Sequence, residues 1–191
     1  MASKMVKHFL RLPRGYRNAE AASFLAQFDE LSGSLWKDLD GIGAAELAWQ
    51  PKRGMNTIGM LLAHMAIVEV FWIQRATTGC TDAELTRVLG IGGDDDGMPC
   101  PANAGPPRTL KGWTLADYRG LEVKARAFAK RRAKTLAAAD MDRAFRADRR
   151  DGLRRSINVR WVFYHLLEHY AGHYGQILLL RHQYRERRRK A

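Results

Sequence analysis

The chain contains very little cysteine: Cys80 and Cys100 are the only two in 191 residues. Two cysteines cannot form the several disulfides of a small secreted scaffold, and their spacing matches neither a zinc knuckle nor a redox Cys-x-x-Cys motif. The sequence therefore favours a reducing, cytoplasmic location. We expect neither cysteine to take part in the chemistry.

Long apolar runs are also missing. No segment reaches the roughly 18 uninterrupted apolar residues that a membrane-spanning helix requires. The N-terminal extension at residues 1–17 is basic but lacks the apolar run of a secretory signal. We therefore expect no membrane partner. An apolar share of 46% is enough for a packed core, and we expect residues 1–191 to form a single domain.

Acidic residues are scarce in the C-terminal part of the chain. Residues 119–191 contain 20 Lys and Arg but 7 Asp and Glu, whereas residues 1–118 contain 12 and 13. The basic excess therefore lies entirely in the last 73 residues, including a basic tail at residues 185–191. A basic half can bind nucleic acid. Because no aromatic residues alternate with the Arg runs as stacking platforms would, we interpret the charge as a solvated face.

The sequence lacks the sustained alternation of apolar and polar residues that a sheet requires. Apolar residues instead recur every three or four positions in four stretches, which predicts four helices. Residues 90–113 are rich in Gly and Pro and predict a long crossover between the second and third helices. The predicted fold is therefore all-α, a four-helix bundle with a crossover connection. The predicted helices cover approximately residues 18–40, 57–78, 115–139 and 156–184.

Three histidines, His165, His169 and His173, recur every fourth residue on the predicted fourth helix. Residues four apart on a helix have Cβ atoms about 5–6 Å apart, so one neighbouring pair can chelate an ion. His165 and His173 are two turns apart, about 12 Å along the axis, and cannot share it. The ion must take either His165 with His169 or His169 with His173, and the spacing leaves this choice open.

A fourth histidine, His64, lies on the predicted second helix in an otherwise apolar stretch. A lone histidine there is more often a core residue that hydrogen-bonds a neighbour. Together with a helical pair, however, it would place three neutral nitrogens on a divalent metal and leave a fourth position open, as in catalytic zinc sites. Imidazoles accept zinc, nickel, iron or copper, so the pattern does not identify the metal.

Two blocks carry a family resemblance. Residues 47–64 end in Leu-Leu-Ala-His64, and residues 161–177 contain Glu-His-Tyr-Ala-Gly-His-Tyr-Gly-Gln-Ile. Both blocks resemble the DinB-like, damage-inducible family of metal-binding four-helix proteins. The sequence departs from many members at Tyr174, where they have a basic residue, and in its unusually long crossover.

The resemblance implies site residues at matching positions. It implies that His64, His169 and His173 bind a divalent metal, most often zinc or nickel. It further implies that His165, one turn before His169, and Gln176, one turn after His173, belong to the cofactor pocket or orient a ligand imidazole.

The resemblance also implies an activity, because several relatives are similar to thiol S-transferases that use bacillithiol, mycothiol or glutathione. A divalent metal on three neutral imidazoles keeps its charge, so a thiol in the open position is deprotonated and can attack a small electrophile. We predict a metal-dependent thiol S-transferase in preference to a hydrolase or isomerase. The sequence identifies no catalytic residue: Glu69, the carboxylate nearest to His64, lies about 140° around the helix from it.

The alternative function is a stress-response module that binds nucleic acid or protein, with the metal only clamping two helices. Such a module should lose affinity steeply with salt. Nothing in the sequence resembles a known DNA-reading motif, so this function ranks second. We also expect a homodimer, because such bundles often bury an outer apolar face. Candidates for that face are Trp36, Phe71 and Trp72.

Overall fold

The computed structural model describes residues 5, 7–79, 81–147, 152 and 154–190. Within these residues the chain forms six α-helices, two 3-10 turns and one two-stranded antiparallel sheet. The prediction of an all-α bundle is confirmed. The elements are α1 (Ala19–Asp38), α2 (Ala44–Leu47), α3 (Ile58–Thr77), α4 (Asp82–Leu89), α5 (Leu115–Thr135), β1 (Ala144–Arg146), β2 (Ser156–Asn158) and α6 (Val159–Lys190).

Polar side chains define where the long helices begin. The side chain of Asn18 accepts a hydrogen bond from the backbone of Glu20 at the start of α1, and Thr57 does the same for Met60 at the start of α3. Thr114 and Asp117 cap α5 reciprocally. Each cap satisfies backbone N–H groups that have no partner within the helix, which fixes the first turn.

The structure differs from the predicted helices in several places. α5 ends at Thr135 because Leu136 adopts an extended conformation, and a 3-10 turn follows at Ala138–Asp142. α6 continues to Lys190, so residues 185–190 of the basic tail are part of this helix. The connection predicted after the third helix contains β1, which pairs with β2. Strands of three residues, like the short helix α4, are too brief to leave a clear periodic pattern in the sequence.

α3 is the central helix of the bundle and packs most extensively against α5 and α6. It is long and apolar enough to cross a membrane by composition, but 72% of its most apolar window is buried inside the bundle. This burial is typical of a core helix, and α3 also contacts α4 and α2. A polar residue of α3 such as His64 must therefore find its hydrogen-bond partners on the neighbouring elements.

Ion pairs connect the basic C-terminal part of the chain to acidic residues of the N-terminal part. Arg126 on α5 lies 2.8 Å from Glu69 on α3, and Arg181 on α6 lies 3.3 Å from Glu46 on α2. The interpretation of the basic excess as a solvated face is therefore incomplete, because some of these basic side chains form ion pairs between the C-terminal and N-terminal parts of the chain. Further pairs of this kind are Lys130 with Asp29, Arg132 with Glu84, and Arg160 with Glu20.

The segment predicted as a crossover, residues 90–113, has no α-helix or strand in the structure and one 3-10 turn at Arg108–Leu110. It is nevertheless tied to the rest of the chain. The backbone N–H of Gly54 donates to the carbonyl of Ala104 at 2.9 Å. Cys100 is half-buried within this segment, whereas Cys80 lies outside the described residues.

Candidate metal centre

The packing of α6 against α3 brings three histidines together. His64 comes from α3, and His169 and His173 come from successive turns of α6. One nitrogen of each ring lies within 4.8 Å of the other two. His169 Nε2 is 3.1 Å from His64 Nε2 and 3.0 Å from His173 Nε2. These three residues are called the histidine cluster below.

Hydrogen bonds on the far side of two rings fix which nitrogen carries the proton. His64 Nδ1 lies 2.8 Å from a carboxylate oxygen of Asp96, and His173 Nδ1 lies 2.9 Å from the side-chain oxygen of Gln176. Both partners accept, so both Nδ1 atoms carry hydrogen and both Nε2 lone pairs face the centre of the cluster. His169 Nε2 carries either one proton or one lone pair. It can therefore donate to only one of the two Nε2 lone pairs that face it.

The donor atoms fit a divalent transition metal. Nitrogens that bind one tetrahedral zinc at 2.0–2.1 Å are about 3.4 Å apart. The two Nε2 separations of 3.0 and 3.1 Å would need to open only slightly. Three imidazoles also leave a coordination position for water or substrate. The third separation, between His64 and His173, is at most 4.8 Å, so small shifts of the rings would bring all three nitrogens to one ion.

Burial keeps the imidazoles of His169 and His173 neutral, as metal binding requires. Burial, followed by the neighbouring His173 and His64, lowers the pKa of His169 to about 3. The pKa of His173 is also lowered, chiefly by burial, although its hydrogen bond to Gln176 acts in the opposite direction. Protons and metals compete for the same lone pair, so weak proton binding leaves that lone pair free at neutral pH.

His165 is outside the cluster and belongs to a group of packed rings. Its ring stacks on Trp161 at 4.7 Å with an interplanar angle of 11°, and Trp72 meets it edge-on at 5.6 Å. Phe71 in turn packs edge-on against Trp72. The centroid of His165 lies 5.7 Å from that of His169, so these four rings form an aromatic wall beside the cluster. Burial lowers the pKa of His165.

A cavity of about 450 Å³ opens beside His64 and is lined by residues of α3, α4 and the crossover. Its volume is in the range of sites for small molecules. Carboxylates occur in its lining, and no Lys or Arg of the described residues does. Its apolar lining residues are Ile67, Val68, Phe71, Leu85, Met98 and Pro99, and its acidic ones are Asp82, Asp94 and Asp96.

Comparison with known proteins matches this arrangement to a family. The family model described as Mycothiol-S-transferase matches residues 23–186, which include the whole histidine cluster. The chain belongs to the mycothiol S-transferase family. The resemblance to DinB-like, metal-dependent thiol S-transferases is thereby confirmed. None of the curated proteins compared with the chain matches it.

Asp96 is the site residue that the sequence pattern did not reveal in this member of the mycothiol S-transferase family. It is 1% exposed, and besides His64 it accepts the backbone N–H of Met98 at 2.9 Å. The sequence offers one signal, the acidic run Asp94-Asp95-Asp96 within a Gly-rich segment. No spacing rule relates position 96 to position 64, because the contact forms only when the crossover folds back over α3.

A second, larger cavity of about 730 Å³ lies in the groove between α1 and α5 and has none of the cluster histidines in its lining. The carboxylate of Glu122 in that lining accepts hydrogen bonds from Ser32, Trp36 and Tyr170. These donors already satisfy it. The cavity beside His64 is therefore the better candidate for the substrate of a mycothiol S-transferase family member.

Proposed function

We propose that this chain is a metal-dependent thiol S-transferase with one divalent ion bound by His64, His169 and His173. One observation carries the proposal: two Nε2 lone pairs of fixed orientation converge on a third Nε2 at 3.0 and 3.1 Å, beside a cavity. Family membership supports the thiol, for which mycothiol is the first candidate. Zinc or nickel is the proposed ion, because both accept imidazole ligands readily.

The proposed reaction transfers the thiol to a small electrophile. A divalent ion in the cluster would supply the positive charge that favours thiolate over thiol at neutral pH. The sulfur then forms a bond to the electrophilic carbon as the bond to the leaving group breaks, and the leaving group departs with that electron pair. We assign the released thiol proton to solvent water, because burial lowers the pKa of the nearby His165 and makes its imidazole a weak proton acceptor.

Orientation of the electrophile is the proposed role of the apolar surfaces around the cluster. Trp161 and Trp72 present ring faces and edges within the aromatic wall, and Phe71 belongs to both this wall and the cavity beside His64. Apolar surface of this kind binds an uncharged body and excludes water from the reacting atoms. We therefore expect electrophiles with an apolar or aromatic body to react best.

The direct test is conjugation of mycothiol, bacillithiol or glutathione to a bimane electrophile that becomes fluorescent on reaction. We expect zinc- or nickel-loaded protein to accelerate the reaction of at least one thiol and the His169→Ala variant to lose this acceleration. The matched control is His182→Ala, which removes an exposed histidine of the same helix. Equal rates for the wild-type protein and His169→Ala with every thiol would contradict the proposal.

A cytoplasmic location accompanies this proposal, because the thiol donor must be kept reduced. The alternative, a nucleic-acid-binding module, has less support, since Arg126, Arg160 and Arg181 form ion pairs within the chain. Retention on DNA that falls steeply with salt, without thiol turnover, would favour the alternative.

A homodimer is also our proposal. Among the candidates from the sequence, Trp36 donates its indole N–H to Glu122, and Phe71 packs on Trp72 within the aromatic wall. Leu179 of α6 is more exposed than these tryptophans and Phe71, at 57%. Light scattering of the wild-type protein and of Leu179→Glu tests this: a wild-type dimer that the substitution dissociates is the expected result.

A further inference from the structure

The side chain of Asp96 connects the crossover to the histidine cluster. Asp96 lies in a segment without α-helix or strand, yet its side chain is almost completely buried. One carboxylate oxygen lies 2.8 Å from His64 Nδ1, and the other accepts the backbone N–H of Met98 at 2.9 Å. The same carboxylate therefore contacts both the α3 histidine and the backbone of the crossover.

A carboxylate in this position changes how an imidazole behaves as a ligand. Donation from His64 Nδ1–H to Asp96 keeps the proton on Nδ1 and holds the ring plane, so Nε2 presents its lone pair in one direction. The negative charge also makes Nε2 a stronger donor to a cation. The loss of such a partner weakens metal affinity about 10–100-fold in proteins with comparable sites.

We propose that Asp96 is a positioning residue for the metal ligand His64, and that metal binding and docking of the crossover are coupled through it. The inference rests on the proposed metal centre. Coupling of this kind is reciprocal: the factor by which the docked crossover raises metal affinity equals the factor by which the metal stabilises the docked crossover. Met98 of the crossover also lines the cavity beside His64, so metal loading and completion of the cavity wall occur together.

The first measurement is zinc affinity by competition with a chromophoric chelator. Asp96→Asn keeps the shape of the side chain but removes its charge, and we expect zinc affinity to fall about 10–100-fold. Asp95→Asn is the matched control, because it removes the charge of the neighbouring carboxylate, whose two oxygens accept hydrogen bonds from Gly92 and Thr109 of the same segment. Its zinc affinity should remain within about twofold of the wild-type value.

The second measurement follows the backbone amide of Met98 by hydrogen exchange. In the wild-type protein, saturating zinc should slow exchange of this amide by a factor similar to the loss of affinity in Asp96→Asn. In Asp96→Asn the effect of zinc on this amide should disappear. The Nδ1 proton of His64 should also give a downfield imidazole N–H signal that moves or vanishes in the variant, which a purely structural role would not predict.

The outcomes separate the two proposals. A wild-type protein that binds no zinc overturns the metal centre and, with it, this inference. A wild-type protein that binds zinc while Asp96→Asn binds it equally well overturns the inference alone. If Asp96→Asn does not fold, the wild-type exchange decides, and an unchanged Met98 amide on zinc addition overturns the coupling.

Discussion

Arg126 on α5 donates to both carboxylate oxygens of Glu69 on α3, at 2.8 and 3.3 Å, in the interior of the bundle. Glu69 is 2% exposed and Arg126 is 6% exposed. Burial raises the pKa of Glu69, and the guanidinium acts against that increase. A buried carboxylate without a partner would be strongly disfavoured, and Arg126 compensates for the loss of solvation of Glu69.

Arg126→Met should destabilise the protein by about 3–5 kcal/mol, because it leaves Glu69 buried without its partner. Urea unfolding at pH 7 measures the change. Lys130→Met is the control: it removes a half-exposed ion pair with Asp29, which should contribute no more than about 1 kcal/mol. Adding Glu69→Gln to Arg126→Met should recover part of the loss. Equal effects of the two single substitutions would contradict this account of the pair.

Removal of any cluster histidine should abolish metal binding. We expect about one zinc or nickel ion per wild-type chain and close to none in His64→Ala or His173→Ala, because three imidazoles supply all the proposed protein ligands. Elemental analysis of purified protein measures the ratio. His165→Phe is the control, since it retains a ring against Trp161 but removes both nitrogens. Loss of metal in His165→Phe would instead favour the His165 and His169 pair that the spacing also allows.

Gln176 should affect metal affinity without being a ligand. Its side-chain oxygen accepts from His173 Nδ1 at 2.9 Å and thereby fixes the orientation of that ring. Gln176→Met should weaken zinc binding about tenfold. Gln183→Met, an exposed substitution on the same helix, should leave affinity unchanged. Indistinguishable affinities for the two variants would exclude this role.

The helices could be predicted because their signals are local. The four-residue spacing of the α6 histidines predicts that one neighbouring pair can chelate an ion, but the choice of His169 and His173, together with His64 of α3, came from the family resemblance. The contacts of Asp96 and Arg126 depend instead on how distant elements meet. Asp96 reaches His64 only when the crossover folds over α3, and Glu69 lies in an apolar stretch that gives no sign of a buried partner. Interpreting the C-terminal charge as a solvated face missed such pairs for the same reason.

Acid should destabilise the metal-free protein partly through His169. Its folded pKa of about 3 lies below the usual histidine pKa of about 6.5, so between those values the unfolded chain binds a proton that the folded chain excludes. The contribution to stability is complete above about pH 6.5 and is lost as the pH falls towards 3. Urea unfolding with chelator from pH 7 to 4.5 should therefore show a flatter profile for His169→Gln than for the wild-type protein. Parallel profiles would contradict the assignment.

Trp161 should affect the reaction without affecting the metal. Its ring stacks on His165 at 4.7 Å and meets Trp72 at 5.8 Å, so Trp161→Ala removes the centre of the aromatic wall. Aromatic pairs contribute about 0.5–1.5 kcal/mol beyond the area that they bury, which corresponds to a decrease in kcat/KM of about two- to tenfold. Steady-state conjugation with an aromatic electrophile measures this, with zinc content determined in parallel.

Trp113→Phe, in a different aromatic pair with Tyr118, is the control and should retain wild-type kcat/KM. A Trp161→Ala protein with full activity would show that the electrophile binds elsewhere, and one without zinc would show that the wall supports the metal centre itself.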